Sequence, residues 1–228
     1  MTDPPAVDVL NLLGGARKQP SAPALLVVGA HREERAFGEA VAARLPGAGF
    51  DVLRIERGLS GRRPGPEALD AYRRRHRALY EQILGHIRPT HHVVLDLHTG
   101  FDESGLCAEV LSADPLLLGC IERAGSAGVA PALGVSRLRG VQLVAECPLD
   151  GRPDATAGTC APRAGWPRLK PDIPAAVWHV EHPLYIGVEI YLPGAPGTAG
   201  IEFGAAVVTA AARCGLNLMA TREHTAVR

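Results

Sequence analysis

The sequence predicts an α/β fold, with a mixed, mostly parallel sheet flanked by helices on both faces. Three observations predict it. Short apolar runs such as Ala24–Ala30 and His92–His98 read as strands buried on both sides. Stretches with apolar residues at helical spacing stand between such runs, the alternation that gives parallel strands joined by crossover helices. Aromatic residues are only 4% of the 228, while Gly 26 and Pro 19 are abundant, so the core must be aliphatic and the turns many. A hydrophobic share of 46% over this length suits one domain, 1–228, with a sizeable core.

In order along the chain, Ala24–Ala30 is the first expected strand, with His31 just past its end. Phe37, Val41 and Leu45 recur every four residues, predicting a helix over 34–45 that Pro46-Gly47 stops. Phe50–Ile55 reads as a second strand and is followed by a basic turn, 57–65. Leu69, Tyr72, Leu79, Ile83 and Ile87 then give 66–87 an amphipathic helical pattern. His92–His98 is the next buried strand. Residues 107–135 hold a strand and a helix near 115–124, and 147–176, dense in Pro, Gly, Asp and Arg, reads as an irregular insertion. Leu184–Leu192 alternates like a half-buried strand, Ala199–Phe203 reads as another strand, and Ala205–Cys214 as a closing helix.

Charge and composition exclude several functions. Lys+Arg 24 balances Asp+Glu 24 and the pI is near 7.1, so the basic footprint that nucleic acid requires is missing. The run Arg73-Arg74-Arg75-His76-Arg77 therefore reads as a solvated helix face. Apolar stretches such as Ala24–Ala30 and Ala205–Ala212 are too short to span a bilayer, and the first residues lack a signal-peptide pattern. Cysteines at 107, 120, 147, 160 and 214 form no C-x-x-C pair and resemble neither a disulfide framework nor a zinc finger. A reducing, cytoplasmic setting is the expectation, with no nucleic-acid or membrane partner.

Three segments carry candidate chemistry. His31-Arg32-Glu33-Glu34 sets an imidazole and a carboxylate three residues apart at a strand end, where ligands of open α/β sheets gather. The alternative is a strand-end histidine and a glutamate favoured by the helix dipole. In Asp96-Leu97-His98, the histidine offers a further ligand and the aspartate, on the same strand face, can fix its tautomer; a histidine capping a strand end is equally open. Glu202, alone in the apolar run Gly200-Ile-Glu-Phe-Gly204, is a candidate general base, because burying a carboxylate is costly without a role. Glu189 is its competitor, accounted for by an exposed strand face. His179-Val-Glu-His182 could be a second metal pair, a substrate-contacting loop, or plain polar residues.

In this order, the three segments resemble the zinc carboxypeptidase superfamily, in particular its succinylglutamate desuccinylase and aspartoacylase branch. That branch carries H-G-N-E, then D-L-H-[NT], then a glutamate in a G-[IV]-E-x-G setting. Here the counterparts are Gly29-Ala-His-Arg-Glu-Glu34, Asp96-Leu-His-Thr99 and Gly200-Ile-Glu-Phe-Gly204, spread over about 24–214. The resemblance implies that His31, Glu34 and His98 hold one Zn2+ per chain and that Glu202 is the general base. Arg32-Glu33 stands in place of Gly-Asn, and Ser60-Gly61 stands where the branch has a substrate-binding Asn-Arg. Arg62 or Arg63 could bind the substrate instead, with Arg54 or Arg57 polarising the carbonyl, since guanidinium forks suit carboxylates and oxyanions. An arginine around 54–63 or 137–139 is expected to receive a substrate carboxylate. The implied activity is hydrolysis of a small N-acyl amino acid or a C-terminal peptide bond. An N-formylglutamate amidohydrolase-like enzyme and a non-catalytic, ligand-binding protein of the same fold are the alternatives.

Overall fold

The structure, a computed structural model, describes residues 22–47, 49–62, 64–129, 138–146, 159–160 and 165–226. Its elements are β1 (Ala24–Val28), α1 (Arg35–Ala42), β2 (Phe50–Arg54), α2 (Pro66–Leu84), β3 (Val93–Phe101), β4 (Cys107–Ser112), α3 (Pro115–Ser126), β5 (Leu138–Leu143), β6 (Thr159–Cys160), β7 (Arg168–Leu169), α4 (Ala175–Trp178), β8 (Leu184–Leu192) and α5 (Thr198–Ala226). The strands form one eight-stranded sheet in the order β2-β1-β3-β8-β4-β5-β7-β6. Parallel pairing predominates, and among the described residues only β4 with β8 and β6 with β7 run antiparallel. The mixed, mostly parallel sheet expected from the alternation of patterns is therefore the architecture of the chain.

Strand parity divides the core in two. Leu26, Val28, Leu95, Leu97, Ile186 and Val188 pack beneath Phe37 and Val41 of α1, Leu117 of α3 and Phe203 and Val207 of α5. Leu25, Val27, Val94 and Tyr185 point to the other face, under Leu79, Tyr80 and Ile83 of α2 and Val177 and Trp178 of α4. Each fully buried aliphatic side chain contributes about 1.5–3 kcal/mol, which anchors the strands whose ends carry the site. Pro66 opens α2 and Pro115 opens α3, where a missing N–H costs nothing, and the Asp114 carboxylate accepts from the amides of Leu116 and Leu117.

Several expectations are corrected. Ala199–Phe203 is not a strand but lies in the first turns of α5. Leu184–Leu192 is not half-buried: β8 is bonded on both edges, by β3 and β4, and covered on both faces. By length and hydropathy Thr198–Thr225 could cross a bilayer, but 56% of its 18-residue apolar window is buried inside the fold. Cys120 and Cys214 form a disulfide linking α3 to α5, which their separation in sequence had hidden. Of the expected insertion, 147–158 and 161–164 lie outside the described residues, while the rest supplies β6, β7 and the start of α4.

Candidate metal centre

The site is built at the carboxyl ends of β1 and β3. Gly29, with φ +84°, turns the chain out of β1 and delivers His31 to a single parallel bridge with Leu59. The backbone is bonded across this bridge, Leu59 N to Ala30 O at 2.9 Å and Arg32 N to Leu59 O at 2.8 Å. Gly58 is required there, because a Cβ would meet the Gly29 carbonyl oxygen at 2.0 Å. The next turn carries Glu34 to the start of α1.

Glu34 lies between the two histidines. Its Oε1 is 3.1 Å from His31 Nδ1 and its Oε2 is 3.0 Å from His98 Nδ1. Ligand atoms of His31, Glu34 and His98 all lie within 4.8 Å of one another, and among the described residues they are the group that could hold a metal ion. Two imidazole nitrogens and a carboxylate oxygen are a donor set suited to zinc. Burial opposes ionisation of Glu34, yet the hydrogen bonds from His31 and His98 hold its carboxyl below the ordinary range.

Behind His98 stands Asp96. Its Oδ2 is 3.1 Å from His98 Nε2 and accepts from the hydroxyls of Tyr80 at 2.5 Å and Tyr185 at 2.9 Å. The cost of burial is outweighed by the His98 charge and these bonds, which bring the Asp96 carboxyl down to about 2. Burial alone would lower the His98 value, but Asp96 raises it well above the ordinary range. With its proton on Nε2 toward Asp96, His98 presents the Nδ1 lone pair to an ion, an arrangement that orients metal-binding histidines generally. Burial and the Asp96 charge keep both tyrosines protonated.

A second carboxylate faces this cluster from β8. Glu189 is in register with His98. Burial pushes its carboxyl up to about 7, against the pull of the nearby His98 and with a further push from Glu34 and Asp96. The exposed strand face expected for Glu189 is thus the face under α2 and α4. Glu202 is exposed on α5, whose Phe203 and Val207 pack against the opposite face of the sheet. Arg54 shares that far face, where its Nε donates to Glu39 of α1 at 2.9 Å. Neither is brought to the metal cluster. Arg57 and Arg62 are exposed in the turn after β2, and Arg63 and Arg137 lie outside the described residues.

Helix α2 contributes residues whose spacing and neighbours in sequence suit core or solvent. Tyr72, His76 and Tyr80 recur every four residues and form a continuous ring stack reaching His31, with centroids 5.8 Å, 5.0 Å and 6.0 Å apart for Tyr72–His76, His76–Tyr80 and His31–His76. His76 Nδ1 and His31 Nε2 are buried without a hydrogen-bond partner. The neighbouring Arg73, Arg74, Arg75 and Arg77 are exposed as expected. The two departures from the resemblance contact each other: Glu33 accepts from the Ser60 hydroxyl at 2.8 Å and the Gly61 amide at 3.0 Å. Those bonds, the Gly61 amide first, bring the Glu33 carboxyl to about 2 and clamp the 58–61 turn beside His31. His179 and His182 are elsewhere: His182 Nε2 is 3.3 Å from His92 Nδ1, at the opposite end of the strands, and His179 packs edge-on against Trp178.

No family model and no curated protein matches the chain. Solved structures do. The catalytic domain of an N-acetylmuramoyl-L-alanine amidase from Bacillus (Paenibacillus) polymyxa var. colistinus is 12% identical, with a TM-score of 0.40 over 90% of this chain and 98% of that one. Murine aminoacylase 3 is 12% identical, with a TM-score of 0.39 over 88% of this chain and 66% of that one. A metallo-carboxypeptidase from Burkholderia cenocepacia is 11% identical, with a TM-score of 0.41 over 88% and 58%.

Proposed function

We propose that this chain is a metal-dependent amidohydrolase that cleaves the amide bond of a small N-acylated substrate carrying a carboxylate. The carrying observation is the convergence of His31 Nδ1, Glu34 and His98 Nδ1 at two strand ends, with the Glu189 carboxylate on the adjoining strand in register with His98. A zinc ion held by the three ligands would lower the pKa of a bound water and polarise a carbonyl oxygen. The protein's own groups account for the rest. Asp96 keeps the His98 proton on Nε2, and Tyr80 and Tyr185 fix Asp96. Glu189, raised to about 7, is poised to accept a proton near neutral pH and return it to a leaving amine. The base role that the resemblance implies for Glu202 therefore passes to Glu189.

Elemental analysis of untagged protein tests the reading, combined with assays on N-acyl amino acids. About one zinc per chain is expected, lost in His98→Ala and kept in Glu189→Gln. Glu189→Gln should abolish hydrolysis, whereas Glu202→Gln should leave it intact. Hydrolysis should also fall as pH drops below the Glu189 value, which a nearby cation moves down from about 7. A protein that takes up no zinc when it is supplied, or a Glu189→Gln variant with wild-type turnover, defeats the proposal.

A further inference from the structure

The row of polar side chains that starts at His98 continues beyond Glu189. On the same face of the sheet, Glu189 of β8 is paired with Glu109 of β4, and Glu109 is in register with Arg139 of β5. Neighbouring strands are about 4.8 Å apart, so the Arg139 backbone lies about 10 Å past that of Glu189. Arg139 is held in place there. Its Nε donates to Glu109 Oε1 at 2.7 Å and its Nη2 donates to the same oxygen, while Glu109 Oε2 accepts from the Tyr191 hydroxyl at 3.2 Å. These bonds use the side edge of the guanidinium and leave Nη1 out, and the Arg139 side chain is 63% exposed. A cavity of about 570 Å³ opens over these groups, lined also by Phe101, Glu103 and Cys107. Asp102 borders it but is turned to its own loop, accepting from the Ser104 amide and hydroxyl.

Two features define what would fit. A guanidinium fixed on one edge by a carboxylate presents its other edge as a fork for a second carboxylate. Beside the row, toward the strand ends, the surface is aromatic. The Tyr191 ring lies over Gly100, where a Cβ would come within 2.6 Å of it, and Phe101 is 64% exposed at the mouth. Aromatic walls favour an apolar chain there. Resting on the amidohydrolase reading, we infer that the cavity over Arg139 is a subsite for a carboxylate joined to the scissile amide through an apolar spacer. The substrates are then acylated ω-amino acids. An α-carboxylate sits too close to its amide nitrogen to reach across the intervening strand β4.

Calorimetric titration of the zinc-loaded Glu189→Gln protein, which keeps ligands intact, tests this with 6-acetamidohexanoate, its methyl ester and N-acetylglycine. The free acid should bind about 10- to 100-fold more tightly than the ester or N-acetylglycine, as for a charge-assisted bond. Adding Arg139→Met should erase that advantage and Arg139→Lys should restore part of it. The acid-against-ester comparison needs no change at Arg139, so it stands even where that variant folds poorly. An acid that binds no better than its ester, or not at all, overturns the subsite, as does an advantage that survives Arg139→Met. Wild-type assays separate the two readings. Hydrolysis of 6-acetamidohexanoate indifferent to Arg139 leaves the hydrolase and removes the subsite, whereas Arg139-dependent binding without any turnover leaves the subsite and removes the hydrolase.

Discussion

Asp96 places three donors on one buried oxygen, from His98, Tyr80 and Tyr185, and so determines which nitrogen of His98 is free for an ion. Because Asp96 raises the His98 value well above its ordinary 6.5, the metal-free protein carries a proton on His98 that binding must displace. Zinc affinity should therefore decline as pH falls below that raised value. In Asp96→Asn the raising charge is gone, so affinity should drop about 10- to 100-fold near pH 8, and its acid decline should begin at a lower pH. Competition with a chromophoric chelator across pH measures both; an unchanged affinity and profile would show that Asp96 does not orient His98. The D-L-H spacing made this pair legible, since residues two apart in a strand share a face. Glu189 was not legible in the same way, because nothing local says that β8 lies beside β3. Glu202 misled for the opposite reason: between Ile201 and Phe203 it reads as buried in a strand, whereas helical rotation turns it outward.

At the scale of elements, α2 ties packing to the site. Leu79 and Ile83 seal the face under the helix, and the adjoining stripe of Tyr72, His76 and Tyr80 reaches the metal cluster. Leu79→Ala should cost about 2–5 kcal/mol by urea denaturation and also weaken zinc binding, since Tyr80 would lose its fixed approach to Asp96. Leu117→Ala, in α3 beneath the other face, should cost a similar amount and leave zinc affinity alone. Equal affinity in both variants would show that α2 does not hold the site in register. Apolar periodicity was enough to find α1, α2 and α3 from sequence, but it missed the start of α5. Glycines at 200, 204 and 215 lie in this helix and serve close approach: a Cβ on Gly204 would be 2.9 Å from Val41 and one on Gly215 would be 3.0 Å from Val93.

Over the whole molecule, the two faces of the sheet divide the work, with chemistry beneath α2 and α4 and stabilising contacts beneath α1, α3 and α5. The Cys120–Cys214 disulfide belongs to the second group and closes a loop of 94 residues in sequence. Cross-linking residues so far apart restricts the unfolded chain and is worth about 2–4 kcal/mol. Disulfides persist in oxidising compartments, so the bond, if it is kept in the cell, would place the chain in one rather than in the reducing setting expected from scattered, odd-numbered cysteines. Cysteine spacing did not foresee the bond because it is the packing of α3 on α5 that brings the two sulfurs together. Reductant, or Cys214→Ser, should therefore lower the melting temperature by several degrees. Zinc affinity should stay unchanged, because the bond lies across the sheet from His31, Glu34 and His98. Thiol trapping in freshly lysed cells decides the setting: both cysteines blocked at once, with melting indifferent to reductant, would mean that the chain works as a dithiol.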